Sequence, residues 1–172
     1  HLFDQEYSWL RIMLFALGLR LGLLAFLAED PLVGDSLQYQ IAAERLVAHG
    51  ELDTYWPPGM PLYEVAVMSI FGKSTIWLRL AMLPWFIWLC ARFYALAYRL
   101  HSRIAANLGL LFLAIFPAMI HQSVEPLSYL PAAALLLAIF DLMQRKSSSY
   151  RKTTTAGHRN TLPHKTGLFS EM

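Results

Sequence analysis

The chain has 172 residues, 56% of them hydrophobic and 15% charged, with a formal charge of +2 and a mean hydropathy of +0.41. A soluble domain carries about 25% charged residues, so too little polar surface is present to cover a water-exposed globule. This excludes an ordinary soluble enzyme, a disordered protein and a nucleic-acid module as default readings, and it makes a bilayer the expected solvent.

The chain opens on His1 rather than methionine, as expected of a processed product or an excerpt. Four stretches have the apolar length to cross a hydrocarbon core of about 30 Å, which takes roughly 17–25 helical residues. The first covers residues 9–28 and contains Arg20. A cleaved signal peptide would need an A-x-A pattern near Ala28 and an unbroken apolar region, and neither is found, so a retained anchor is expected. A long connection, about 29–75, follows. Within it, residues 36–48 place Tyr39, Ala42, Ala43, Leu46 and Val47 on one helical stripe, and Gly50 is a natural helix stop. Tyr55-Trp56-Pro57-Pro58-Gly59-Met60-Pro61 carries three prolines and is expected to be irregular. The apolar stretch 62–71, ended by Gly72, is too short to span. Two short amphipathic helices lying on the outer membrane surface are therefore expected, with Tyr55 and Trp56 at headgroup level.

Further spans are expected at 76–100, 104–120 and 126–143. Four buried helices of a soluble bundle would instead need polar stripes, which the third and fourth stretches lack. From residue 144 the composition turns to Ser, Thr, Lys and Arg without apolar periodicity, so 144–172 reads as a disordered, basic tail. The fold class is thus an all-α polytopic membrane protein, a transmembrane domain over 1–143 followed by that tail. Arg99 and Arg103 lie between spans two and three, and Arg145, Lys146, Arg151 and Lys152 after span four. The 29–75 connection is mainly acidic. Positive charge marks the cytoplasmic side, so the first loop is expected outside a cell membrane and the C-terminus in the cytoplasm.

Asp35 stands between Gly34 and Ser36, where the outer end of the first span meets the first surface helix. It can cap that helix by accepting hydrogen bonds from free backbone N–H groups. An ionised carboxylate at this boundary can also take a proton from a substrate hydroxyl or bind a divalent cation. The two roles are compatible. Arg20 is an arginine within a span, an arrangement that costs about 2.5–3.5 kcal/mol unless the side chain snorkels or pairs. A carboxylate on a neighbouring helix or a lipid phosphate is its expected partner. Arg79 stands at an outer helix entrance and could meet a phosphate or simply snorkel. Cys90 reads as a small apolar filler. The histidines show no HxxxH or HxH spacing, and no glycine-rich phosphate loop or nucleophile elbow occurs. The basic tail is better explained by topology and anionic lipid than by nucleic acid.

The order Asp35, Tyr39, Ala42 and Ala43, Leu46, Gly50, then Pro57-Pro58-Gly59-Met60-Pro61-Leu62-Tyr63, then Phe71-Gly72-Lys73-Ser74 and Arg79-Leu80 resembles a family of integral-membrane glycosyltransferases. That family includes dolichyl-phosphate-mannose protein mannosyltransferases and bacterial aminoarabinose transferases acting on lipid A. The resemblance covers roughly residues 20–140 and concerns the N-terminal part of such enzymes, whose full-length members have more spans and usually a soluble C-terminal domain. It implies transfer of a sugar from a polyprenyl-phosphate donor to a lipid or protein acceptor on the outer face, with inversion at the anomeric carbon. Carried over by position, Asp35 is the catalytic carboxylate, acting as base or as ligand of a divalent metal ion. Many members carry a second acid after that aspartate, where this chain has Ser36. Glu125, before Pro126, matches an acidic residue at the outer start of the fourth span and is expected to approach Asp35 across the outer mouth. Tyr39, Pro58, Arg79 and Arg20 are the expected substrate-binding residues. The competing reading is a non-catalytic membrane subunit or scaffold that binds a partner through its outer loop. A transporter fragment is disfavoured because the charges cluster outside rather than at mid-bilayer.

Overall fold

The computed structural model describes residues 7–28, 30–52 and 55–159, with side chains as far as 144. Among the described residues all regular structure is helical: α1 (Ser8–Phe26), α2 (Asp35–His49), α3 (Gly59–Phe71), α4 (Thr75–Leu80), α5 (Leu83–Leu100), α6 (Arg103–Ile115), α7 (Pro117–Gln122) and α8 (Tyr129–Arg159). Among the described residues two helical stretches are long and apolar enough to cross a membrane, Ser8–Phe26 and Thr75–Leu100. In α1 the buried residues Ser8, Ile12, Met13, Ala16, Arg20 and Leu24 form one stripe. Leu14, Phe15, Leu21 and Phe26 point outward and are exposed. A helix that is apolar all round is suited to lipid on its outer face.

Two prolines act differently. Pro84 lies in the first turn of α5 and cannot donate to the Leu80 carbonyl. Ala81 and Met82 before it nevertheless keep right-handed helical geometry, so α4 and α5 follow one another closely. Pro117 instead ends α6. It has no N–H for the Leu113 carbonyl, and it forces Phe116 into the extended region at φ −66°, ψ 119°. The apolar stretch expected as one span over 104–120 is therefore two helices, and α6, at 13 residues, rises only about 20 Å.

The outer-loop helices form at the expected places with shifted starts. Gly34 is the N-cap of α2 at φ 59°, and Asp35 is the first helical residue, with no side-chain capping bond. The chain needs a positive φ at that turn, and glycine supplies it where aspartate would be strained. α3 starts at Gly59, upstream of the expected 62, and takes in Pro61. A proline is tolerated in a first turn because its missing N–H would have had no helical partner. α2 and α3 pack on each other, and α3 continues onto α4.

The main core joins Ala16 of α1, Tyr39, Met60, Phe86 and Cys90 of α5, Leu110 and Ala114 of α6, and Leu130 and Ala134 of α8. A second cluster, Leu32, Ala43, Val67, Met68 and Leu78, fills the junction of α2, α3 and α4. The chain divides into one compact unit ending at Ala138 and a second beginning at Ile139, a boundary inside α8. The helix runs on to Arg159, where the change of composition at 144 had suggested a disordered tail. Extending an existing helix needs no new nucleation, and Gln, Arg and Lys are good helix formers. Residues 160–172 of that expected tail lie outside the described residues.

α5 and α6 cross closely at Gly109, where an added Cβ would stand 2.6 Å from the Phe93 ring. Gly109→Ala should lower stability in detergent by about 1–2 kcal/mol, the overpacking cost offset in part by alanine's better helix propensity. Denaturant titration followed by circular dichroism measures it.

Candidate functional site

The site is built around the connector between α7 and α8, residues 123–128. Ser123, Glu125 and Ser128 together hold side chains from three helices. Ser123 accepts from Arg20 Nε at 3.0 Å. Glu125 Oε1 receives Arg79 Nη2 at 3.1 Å, both side chains being buried. Its Oε2 lies 3.2 Å from Ser36 Oγ, whose one hydrogen also reaches the Val33 carbonyl at 2.7 Å. Ser128 Oγ and Tyr39 Oη share a hydrogen bond of 3.1 Å. One short segment thus fixes α1, α2 and α4.

Arg20 is fully buried. Its partners differ from the carboxylate or lipid phosphate that its position in the span suggested. Nη1 donates to the carbonyls of Ala114 at 2.7 Å and Ala16 at 3.1 Å, and Nη2 donates to Leu113 at 3.0 Å. The guanidinium lies 3.8 Å over the Phe86 ring. Leu113 is the carbonyl that Pro117 leaves without a donor. The cation also faces the negative C-terminal end of α6, which is favourable in itself. Arg20 is therefore a cap for a broken helix, and nothing in its surroundings leaves it facing a substrate.

Arg79 is engaged in the same way. Besides Glu125 it donates from Nη1 to the Leu27 carbonyl at 2.6 Å, and it is 2% exposed. It stands inside the protein rather than at an open entrance. Glu125 is 5% exposed, and its two oxygens are occupied by Arg79 and Ser36. Asp35 is exposed and next in the chain to Ser36, so the two acids come into one neighbourhood, but only Asp35 is open to solvent. Among the described residues no group of three His, Cys, Asp or Glu side chains gathers to hold a metal ion.

Tyr39, one turn on from Asp35, is buried under Trp56, with ring centroids 5.1 Å apart and the planes at 64°. Beyond Ser128 opens a groove of about 240 Å³. Its lining comes from Pro57, Gly59, Met60 and Tyr63 of the proline-rich stretch and α3, from Trp85 of α5, and from Ser128, Pro131, Ala132 and Leu135 around the start of α8. Pro58 does not line it. It caps α3, exposed, with its carbonyl accepting from Leu62 N at 3.1 Å. Tyr63 donates its hydroxyl to the Ala81 carbonyl, and burial holds its phenol above the usual tyrosine value. Ser123, Ser128 and Trp85 were missed in sequence. The polar stretch before Pro126 was the available sign, but partners about 90 residues away carry no local pattern.

Comparison with protein-family models, curated proteins and solved structures finds no match to this chain.

Substitutions at two residues test the scaffold. Arg20→Met should cost about 3–5 kcal/mol by leaving buried acceptors unmatched, and Arg20→Lys should recover only part, since an ammonium lacks the planar fork. Glu125→Gln should cost a similar amount, about 3–5 kcal/mol, because Arg79 stays buried without its counter-charge. Unfolding in detergent with a mild denaturing surfactant measures both.

Proposed function

We propose that the chain is part of an outer-face membrane glycosyltransferase that moves a sugar from a polyprenyl phosphate onto an acceptor hydroxyl. The reading takes it as a multi-pass protein of about four spans, with α2 and α3 on the outer surface and the C-terminus in the cytoplasm. The observation that carries it is an exposed carboxylate, Asp35, one helical turn from Tyr39, whose hydroxyl meets Ser128 at the edge of an apolar groove. Such a groove suits a prenyl chain, and the adjoining carboxylate suits the polar chemistry of the head group.

In this scheme the Asp35 carboxylate accepts the proton of the acceptor hydroxyl as that oxygen attacks the anomeric carbon. The carbon–oxygen bond to the phosphate breaks, its electron pair leaves with the polyprenyl phosphate, and the configuration inverts. Pro57, Gly59, Met60 and Tyr63 line the wall that orients the donor, and Tyr39 positions that wall through Trp56 and Ser128. Arg79 and Arg20 act through the scaffold and do not touch phosphate. The closed Arg79–Glu125–Ser36 cluster is what favours the second reading, a non-catalytic subunit that presents its outer loop to a partner protein.

Reconstitution of the protein, extended by any further C-terminal spans, in liposomes with a radiolabelled polyprenyl-phosphate sugar decides between them. Wild-type protein should bind donor and transfer label, and Asp35→Asn should lower transfer at least about a hundredfold, the scale of losing a general base, with donor binding and unfolding midpoint unchanged. Equal transfer by the variant removes Asp35 as the base, and folded wild-type protein that binds no donor favours the subunit.

A further inference from the structure

Glu64 is a buried acid that the site does not use. It lies on the buried face of α3 with Met60, Pro61, Val67 and Met68; Met60 shares a core cluster with Tyr39 of α2, and Val67 and Met68 share one with Ala43 of α2. Its side chain is 1% exposed, and neither carboxylate oxygen has a hydrogen-bond partner. An ionised carboxylate so placed loses its hydration without compensation, and the group takes up a proton instead. Burial pushes Glu64 from 4.5 up to about 8, with no charged neighbour contributing.

The surrounding titratable groups are committed elsewhere or face water. On α2, Tyr39 is bonded to Ser128, and the half-buried Glu44 accepts from Gln40 Nε2 at 3.1 Å. Asp35, Arg45 and His49 are exposed. On α4, Arg79 is held by Glu125 and Leu27. On α3 itself, Tyr63 is held by Ala81, and Lys73 just beyond its end is exposed.

We propose that Glu64 is a proton-binding site that clasps α2 to α3 as a neutral acid and loosens α2 when it ionises. Asp35, Ser36 and Tyr39 all ride on α2, so alkaline conditions would disorder the geometry around Asp35 whatever reaction that residue serves. The inference is independent of the glycosyltransferase reading. Between 4.5 and about 8 the closed pair keeps a proton that the open pair has released. Closure therefore weakens as pH rises through that window, and above it both forms are ionised and the dependence ends.

The test is hydrogen exchange of the α2 amides, 35–49, in the full chain in detergent at pH 5 to 9, corrected for intrinsic base catalysis. The opening constant of wild-type protein should rise by up to about tenfold per pH unit and level off near pH 8, whereas Glu64→Gln, which keeps shape without charge, should be flat. A wild-type profile without pH dependence, or a variant with the same slope, overturns the proposal. Should the variant not fold, wild-type protein is treated with a hydrophobic carbodiimide, to which a protonated buried carboxyl adds, and the adduct is located by mass spectrometry. Labelling of Glu64 at pH 6 that is lost by pH 9 supports the site. No labelling at pH 6, or equal labelling at both, rejects it.

Discussion

The compact unit that ends at Ala138 depends on a guanidinium filling the gap that a proline opens in a neighbouring helix. Pro117 stops α6 and leaves the Leu113 carbonyl without a donor, next to the free end of Ala114. An unmatched buried acceptor is costly, and so is a buried cation. Arg20 cancels both costs at once by donating to those carbonyls and to Ser123. Each feature is costly alone. Together they set the position of α7 and of the connector that follows.

From that connector the polar order passes outward in two steps. Glu125 draws in Arg79 of α4 and Ser36 of α2, and Ser128 draws in Tyr39. α2 is thereby anchored along its first turns, and Asp35 is left at the start of the helix, exposed. The arrangement separates duties. The buried charges hold the scaffold, while the exposed carboxylate stays free of internal partners and open to solvent. Ser128 also lines the apolar groove, so its bond to Tyr39 ties α2 to the groove's edge.

The α2–α3 pair is held by a different kind of contact. Its interface is mostly small and apolar, with Ala42 and Ala43 allowing close approach, and it includes Glu64 with no polar partner. At Glu125 the buried carboxylate is met by Arg79 and Ser36. An acid that escapes its charge by protonation is conditional on pH.

Much of the fold was legible one element at a time. The apolar lengths of 9–28 and 76–100 announced α1 and the α4–α5 stretch, the Tyr39 stripe announced α2, and Gly50 and Gly72 marked the helix ends, because these signals depend on neighbours a few residues apart. Pro117 was visible in the sequence too, yet whether it kinks, breaks or merely begins a helix depends on what can satisfy the carbonyls it orphans, as the contrast with Pro84 shows. The fates of Arg20, Arg79, Glu125 and Glu64 could be decided only by tertiary structure. A charged side chain near an apolar segment reads the same whether it meets water, lipid phosphate, a carbonyl or nothing. Which of these it meets is set by residues about 50 to 100 positions distant, brought there by helix packing that no local pattern encodes.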